Sequence, residues 1–277
     1  MAARAVVFGY GDIGARCLAV LLEAGVEVPL VVTHRDDPNE TRWYASVADF
    51  CRSKGLNVLE SPSGEEIEKR VGRPDLIFSF YYRSMLPMSV LKQARLGAFN
   101  MHGSLLPRYR GRAPLNWAVL HGETETGVTL HAMVEKPDAG GIVDQQAVPI
   151  GPDETAVEVF HKMTEAAVSV LKRNIASLVE GNVQLKPNDL SKGSYFGRRT
   201  PEDGRIDWSK SAREIHNLVR AVAPPFPGAF SGNLRVNRTK IENQTHNRAV
   251  GPFKEDGKWF AACGDGKVLR LLDVEER

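Results

Sequence analysis

The chain has only three cysteines, Cys17, Cys51 and Cys263, an odd number at wide spacing with no Cys-x-x-Cys pair. That excludes a disulfide scaffold and a thiolate zinc framework, and the thiols read as buried or incidental in a reducing, cytoplasmic compartment. A charge excess of either sign is also missing, because 36 Lys and Arg face 34 Asp and Glu, a formal +2. Such a balance gives no electrostatic case for a dedicated nucleic-acid binder, so no nucleic acid is expected as a partner. Long apolar runs are absent too. The stretch 1–32 is broken by Asp12 and Arg16 and again by Gly25 and Glu27, so neither a signal peptide nor a membrane span fits and no membrane partner is expected. There is no internal repeat or low-complexity tract. What remains is an ordinary globular composition, 42% hydrophobic and 25% charged over 277 residues, enough for one large or two modest domains.

Short β-branched runs alternate with helical patterns through the first half. Ala5-Val6-Val7-Phe8, Pro29-Leu30-Val31-Val32 and Leu76-Ile77-Phe78 read as parallel strands buried on both faces. Ile13, Cys17, Val20, Leu21 and Ala24 share one helical face, with Gly25 as its stop, and a second helix is predicted over 43–54. The alternation implies an open, mostly parallel α/β sheet with right-handed crossovers. A strand pair is expected over 128–134 and 142–150, and Asp153 precedes a long amphipathic helix that Gly181 ends. A polar connector and a short helix over 212–222 follow. Beyond them, strand-like pieces with Gly and Asn turns suggest a small β-rich domain. The expected boundaries are a domain over 1–185, a linker over 186–204 and a C-terminal β-rich domain over 205–277.

Gly9-Tyr10-Gly11-Asp12-Ile13-Gly14 follows a predicted strand and opens a helix, with Asp36 and Asp37 further on. The pattern fits a dinucleotide fingerprint, and it fits equally a tight first β–α turn that binds no nucleotide. No Tyr-x-x-x-Lys occurs anywhere, so one common dehydrogenase machinery is missing.

A second segment carries more chemistry: Asn100-Met101-His102-Gly103-Ser104-Leu105-Leu106-Pro107-Arg108-Tyr109-Arg110-Gly111-Arg112. Asn100 and His102 stand at the carboxyl end of a predicted strand, the usual ligand crevice of an open sheet. An amide can donate to a developing oxyanion, and an imidazole can move protons near neutral pH. Asp138 lies in the turn between the next two strands, and its approach to His102 would favour the imidazolium. Singly, each residue also fits a structural role: a packed histidine, or an aspartate forming a turn.

Together with Ala113-Pro114, Gly127-Val128-Thr129-Leu130-His131-Ala132-Met133 and Asp138-Ala139-Gly140, this segment resembles the folate-dependent formyltransferase family. The flanking runs Phe78-Ser79-Phe80-Tyr81-Tyr82-Arg83, Phe196-Gly197-Arg198-Arg199-Thr200-Pro201, Val219-Arg220-Ala221-Val222 and Pro227-Gly228-Ala229-Phe230 look most like members acting on UDP-4-amino-4-deoxy-L-arabinose. The resemblance implies a Rossmann-like formyltransferase fold with an OB-like C-terminal domain, and N-formylation of a nucleotide-linked amino sugar from 10-formyltetrahydrofolate. The pathway it implies is lipid A modification and polymyxin resistance.

Residue by residue, it implies that Asn100 stabilises the oxyanion, that His102 transfers the proton and that Asp138 holds and tunes His102. Ser84, Met85 and Leu86 match a stretch whose backbone lines the folate pocket. Val134, Glu135, Lys136, Pro137 and Asp138 match the loop facing it, and Arg112 matches a further folate-site arginine. Arg198 and Arg199 are candidates for the substrate diphosphate, against a solvated linker as the plainer reading. No metal is expected, since His121 and His131 lack ligand-like spacing with His102. Trp43, Trp117 and Trp208 read as packing residues.

Some relatives are fused to a decarboxylating UDP-glucuronate dehydrogenase; that domain has no counterpart here, so such an enzyme would be a separate partner. Gly11 stands where close relatives usually carry a bulkier residue. After Cys263-Gly264-Asp265-Gly266 the chain runs only to Arg277, and its last domain is expected to be short of strands. Alternatives within the chemistry are methionyl-tRNA formylation, formylation of a dTDP-amino sugar and formylfolate hydrolysis; outside it stands a plain NAD-binding domain. The tRNA-directed relatives often carry a basic insertion after the second strand, whereas the segment here, 34–40, is not basic.

Overall fold

The computed structural model describes residues 2–36 and 42–276. The chain divides into two compact units: Met1–Gly111 with Gly127–Val148 and Lys162–Tyr195, and Arg112–Thr126 with Pro149–His161 and Phe196–Arg277. Segments 112–126 and 149–161 therefore group with the C-terminal part: Asn116 of the first donates to the Ala221 carbonyl at 2.7 Å, and Arg220 fastens the second.

In the first unit the β-branched runs become β1 (Arg4–Gly9), β2 (Glu27–Thr33), β3 (Val58–Glu60), β4 (Leu76–Phe80) and β5 (Gly97–His102). A two-residue β6 (Arg110–Gly111) precedes β7 (Glu125–Ala132) and β8 (Ile142–Pro149). The main sheet runs β3-β2-β1-β4-β5-β7-β8. β1 to β5 pair in parallel, and β7 runs antiparallel to β5. Val6, Phe8, Leu30, Val32, Ile77 and Ala98 form a core on one face with residues of α3 (Gly64–Val71) and α4 (Met88–Leu91). Ala5, Val7, Val31, Leu76 and Phe78, of opposite parity, are fully buried too. Both faces of these strands are therefore covered, as their continuous apolar runs require.

Helix α1 (Gly11–Glu23) packs on β1, β2 and β4, and Gly25 follows it at φ +75°. Helix α2 (Val47–Ser53) starts four residues later than the 43–54 pattern predicts, because the Ser46 hydroxyl accepts from Asp49 N at 3.3 Å and caps it there. Asp36 is described and pairs with Arg42 at 3.4 Å, whereas Asp37 and residues 38–40 lie outside the described residues.

In the second unit α5 (Pro114–Leu120) packs on α7 (Ala212–Val222). The buried Arg220 guanidinium of α7 donates to the carbonyls of Gly151 at 3.3 Å and Glu154 at 3.2 Å, which fastens that loop. The long helix α6 (Ala156–Glu180) begins among these residues and ends in the first unit, followed by the short β9 (Tyr195–Phe196). Ser211 and Glu214 close a reciprocal capping box at the start of α7. The remaining strands, β10 (Ala229–Ser231), β11 (Leu234–Thr245), β12 (Gly251–Glu255), β13 (Lys258–Ala262) and β14 (Lys267–Glu276), form one antiparallel sheet in the order β10-β11-β14-β13-β12. The last residues thus form a strand inside the sheet, paired on both sides. Among the described residues no helix is long and apolar enough to cross a membrane.

The glycine turn after β1 serves close packing. Gly11 sits at φ +61°, and a Cβ on Gly14 would stand 3.0 Å from the Gly9 carbonyl carbon and 3.0 Å from Val47 Cγ2. Gly14→Ala is therefore expected to destabilise by about 1–3 kcal/mol through overpacking, read as a lower urea midpoint with unchanged m-value.

Candidate active site

Strand alternation puts Asn100 and His102 on one face of β5, and the register of β7 sets His131 opposite Asn100 and Thr129 opposite His102. Four polar side chains therefore line one patch where β5 meets β7. His102 and His131 are buried, at 7% and 2% exposure.

The loop leaving β5 is tied down by Thr129. Its hydroxyl donates to the Ser104 carbonyl at 2.6 Å and accepts from Leu106 N at 3.1 Å and from Gln145 Nε2 at 2.9 Å. Ser104 Oγ donates to the Arg108 carbonyl at 2.6 Å, and Tyr109 N donates to Ser194 Oγ at 2.9 Å. A Cβ on Gly103 would reach 2.2 Å from the Tyr81 hydroxyl, so any larger residue there would have to displace that side chain. So closed, the loop brings the Tyr109 carbonyl 2.9 Å from His102 Nε2. A carbonyl only accepts, so Nε2 carries the proton and the lone pair of the neutral ring lies at Nδ1. Nδ1 faces Asp138 Oδ1 at 3.5 Å. A proton taken by His102 lands at Nδ1, and the charge it creates forms beside that carboxylate.

Asp138 is held by backbone. It sits at φ +51°, a conformation that Asp tolerates, and its Oδ2 accepts from Gly111 N at 2.9 Å. Asn188 Nδ2 donates to the carbonyls of Asp138 and Gly140, each at 3.1 Å. Gly140 is obligatory, because a Cβ there would lie 1.9 Å from the Ala132 carbonyl oxygen. Asn188 lies in the stretch read from sequence as a linker, and only the fold reveals its grip on this turn.

His131 completes the set. Its Nδ1 lies 2.9 Å from the Ala132 carbonyl, and its Nε2 lies 3.2 Å from Asn100 Nδ2 and 3.7 Å from Asp138 Oδ1. Burial, helped by the neighbouring His102, pushes its pKa down to about 4, with Asp138 pulling the other way. The ring is neutral at neutral pH. Its sequence signal was the Gly127-to-Met133 run, but a search for metal-ligand spacing with His102 passes over it.

The other predicted residues fall as follows. Met85 is 63% exposed and Val134 42% exposed at the carboxyl ends of β4 and β7, while the Leu86 side chain is buried in the core. Ser84, Glu135 and Lys136 are exposed, and Pro137 is half-buried. Arg112 belongs to the second unit; it is exposed, and its N–H donates to the Phe196 carbonyl at 3.0 Å. Arg198 is exposed. The Arg199 guanidinium lies 4.7 Å over the Trp117 ring and donates to the Asp203 carbonyl at 3.1 Å, so it is already engaged in packing. Among the described residues no three His, Cys, Asp or Glu side chains group as a metal site.

Residues 3–175 match the formyl transferase family and residues 198–277 match the formyl transferase C-terminal domain. The chain belongs to the formyltransferase family. Its fold is similar to that of an N-formyltransferase from Helicobacter canadensis, solved with folinic acid and dTDP-3-aminofucose, at 21% identity over 98% of this chain and 99% of that one, TM-score 0.79. It is also similar to WlaRD, a sugar 3N-formyl transferase solved with dTDP and 5-N-formyl-THF, at 21% identity over 98% of each chain, TM-score 0.77. HypX from Aquifex aeolicus, solved with tetrahydrofolic acid, matches at 19% identity over all of this chain and 45% of its own, TM-score 0.70.

Two outcomes test the geometry. Asn188→Ala removes two hydrogen bonds to part-buried carbonyls and should cost about 1–2 kcal/mol in urea unfolding, with turnover falling as Asp138 loosens. The second concerns acid. The folded-state pKa of His131, about 4, lies below its ordinary 6.5. The unfolded chain therefore binds the extra proton first, and stability drains away as pH falls from about 6.5 toward 4. His131→Gln should flatten part of that slope relative to the wild type in urea titrations across this window.

Proposed function

We propose that this chain transfers a formyl group from 10-formyltetrahydrofolate to the amino group of a nucleotide-linked sugar. The observation that carries the reading is the convergence of Asn100, His102 and Asp138 at the carboxyl end of β5. An amine attacking a formyl carbon places negative charge on the formyl oxygen and makes the nitrogen acidic. The site then needs a donor for the oxygen and an acceptor for the proton. Asn100 supplies N–H groups. His102 supplies a lone pair at Nδ1, and Asp138 stabilises the imidazolium that results. When the leaving nitrogen of the folate needs a proton, the same imidazolium returns it. The loops over 84–86 and 134–138 are assigned to the folate, with Arg112 as a further contact and Arg198 and Arg199 reserved for the diphosphate. Of these, Arg199 is the weaker candidate, given its stacking on Trp117.

UDP-4-amino-4-deoxy-L-arabinose is the favoured acceptor, on the likeness of the runs at 78–83 and 196–201 to enzymes acting on that sugar. A separate decarboxylating dehydrogenase would then act upstream, and lipid A modification would be the pathway served. The buried free cysteines suit a reducing, cytoplasmic setting. A dTDP-amino sugar is the second reading, favoured by the ligand of the Helicobacter canadensis relative.

The test is a formyl-transfer assay that offers the UDP sugar, a dTDP-4-amino sugar, a dTDP-3-amino sugar and charged initiator tRNA in parallel. Turnover with the UDP sugar alone is expected; turnover with tRNA alone would overturn the sugar reading. Asn100→Ala and His102→Ala should each lower turnover by about two orders of magnitude or more. Wild-type rates in both would remove the assigned roles.

A further inference from the structure

Asn100 can serve an oxyanion only through the N–H groups of its amide, so something must decide which end of that amide faces which neighbour. Its Nδ2 lies 3.2 Å from His131 Nε2, while His131 Nδ1 lies 2.9 Å from the Ala132 carbonyl. That carbonyl can only accept, which fixes the ring's one proton on Nδ1 and leaves a lone pair on Nε2. Only the NH2 end of Asn100 is tolerated against this lone pair, because a flipped amide would set oxygen against nitrogen with no proton between them. We propose that His131 is a positioning residue for formyl transfer: a neutral imidazole that fixes the orientation of the Asn100 amide and leaves its second N–H for the oxyanion.

The assignment rests on the formyl-transfer reading above, and it adds a residue to it. The arrangement is built, since His131 is 2% exposed and sits directly opposite Asn100 in the strand register. The Ala132 carbonyl that sets the tautomer is itself held, because Ala132 N donates to the Gly141 carbonyl at 2.9 Å. Neutrality has a second consequence. The charged or titratable groups facing His131 are Asp138, 3.7 Å from Nε2, and His102, with ring centroids 6.4 Å apart. A protonated His131 would contend with His102 for the same carboxylate oxygen and would offer Asn100 a donor in place of an acceptor. A neutral one leaves Asp138 to His102.

The test compares His131→Gln with His131→Phe, and with His131→Leu should the Phe variant not fold. The Gln side chain keeps an acceptor near the place of Nε2, whereas Phe keeps the ring and loses the acceptor. The Phe variant should lose about 10- to 100-fold in kcat with KM for both substrates within about threefold, less than removing an oxyanion donor outright. Gln should recover turnover to within about fivefold of the wild type. A residue needed only for packing gives the reverse ranking, and that ranking would overturn the proposal. In an Asn100→Ala background the Phe change should cost no more than about twofold, since the two act through one contact; additive losses would also overturn it. Nitrogen-15 NMR of the substrate-free protein supplies a readout independent of any acceptor. The expected spectrum has His131 protonated at Nδ1 and bare at Nε2 at pH 7, and an Nε2–H tautomer would refute the arrangement. If the wild type formylates no acceptor, the function reading fails and the NMR result still decides the orientation of the contact.

Discussion

The antiparallel pairing of β7 onto an otherwise parallel sheet is the constraint on which the site depends. β1, β2 and β4 are buried on both faces over most of their length and offer little room for polar groups. Where β7 joins β5, the register aligns Asn100 with His131 and His102 with Thr129. A slip of one residue would turn all four side chains of β7 and β5 out of register, moving each polar group against apolar neighbours. The register is protected by its contents: Phe99 and Met101 alternate into the core on the other parity, at 3% and 1% exposure. Apolar burial on one side of β5 thus holds the chemistry on the other.

Placing polar side chains in such a sheet is costly unless each finds a partner. Thr129 meets this demand by accepting two hydrogen bonds and donating one, all to the loop that follows β5 or to Gln145. The loop then has little freedom, and its Tyr109 carbonyl is delivered to His102. Asp138 is met at one oxygen by the Gly111 N–H, while its other oxygen faces the two histidines at 3.5 and 3.7 Å and gains a donor only when a ring takes up a second proton. The tight glycines follow from this closeness. Gly103 and Gly140 are places where a single methyl group would enter another residue's space.

Much of this was legible in the sequence, and the rest was hidden for identifiable reasons. Asn100 and His102 declared themselves through their spacing of two at a strand end, and Asp138 through a turn between two strands. The parallel strands were readable from apolar runs, and α6 from its amphipathic pattern. The pattern over 43–54 overstated α2 because Ser46 sets the start by a cap, and apolar periodicity carries no record of a cap's geometry. Asn188 was hidden in a polar stretch whose composition is that of a connector, and its function lies in two bonds to carbonyls fifty and forty-eight residues away. His131 lies thirty-one residues from Asn100. Its partnership follows from strand register, which spacing rules for metal ligands do not test. The glycine fingerprint after β1 was ambiguous for a related reason: the same three glycines satisfy tight packing and phosphate approach. Here Gly14 lies against Gly9 and Val47, and Gly11 adopts φ +61°, so close packing and a tight turn suffice to account for the three glycines.

The two buried histidines show how a main chain can write chemistry into side chains of the same type. Each ring is a symmetric choice between two tautomers until a carbonyl breaks the symmetry. The Ala132 carbonyl accepts a hydrogen bond from Nδ1–H of His131, and the Tyr109 carbonyl accepts one from Nε2–H of His102. The lone pairs are thereby left on opposite nitrogens. One faces the amide of Asn100, where it orients a donor; the other faces Asp138, where an arriving proton meets a negative charge. Neither outcome needs a charged residue beyond Asp138, and each is fixed by backbone already held in place, Ala132 at the end of β7 and Tyr109 in the loop that Thr129, Ser104 and Ser194 close. The different orientations of the two rings, on which the proposed roles rest, are therefore set in the paths of two short stretches of chain.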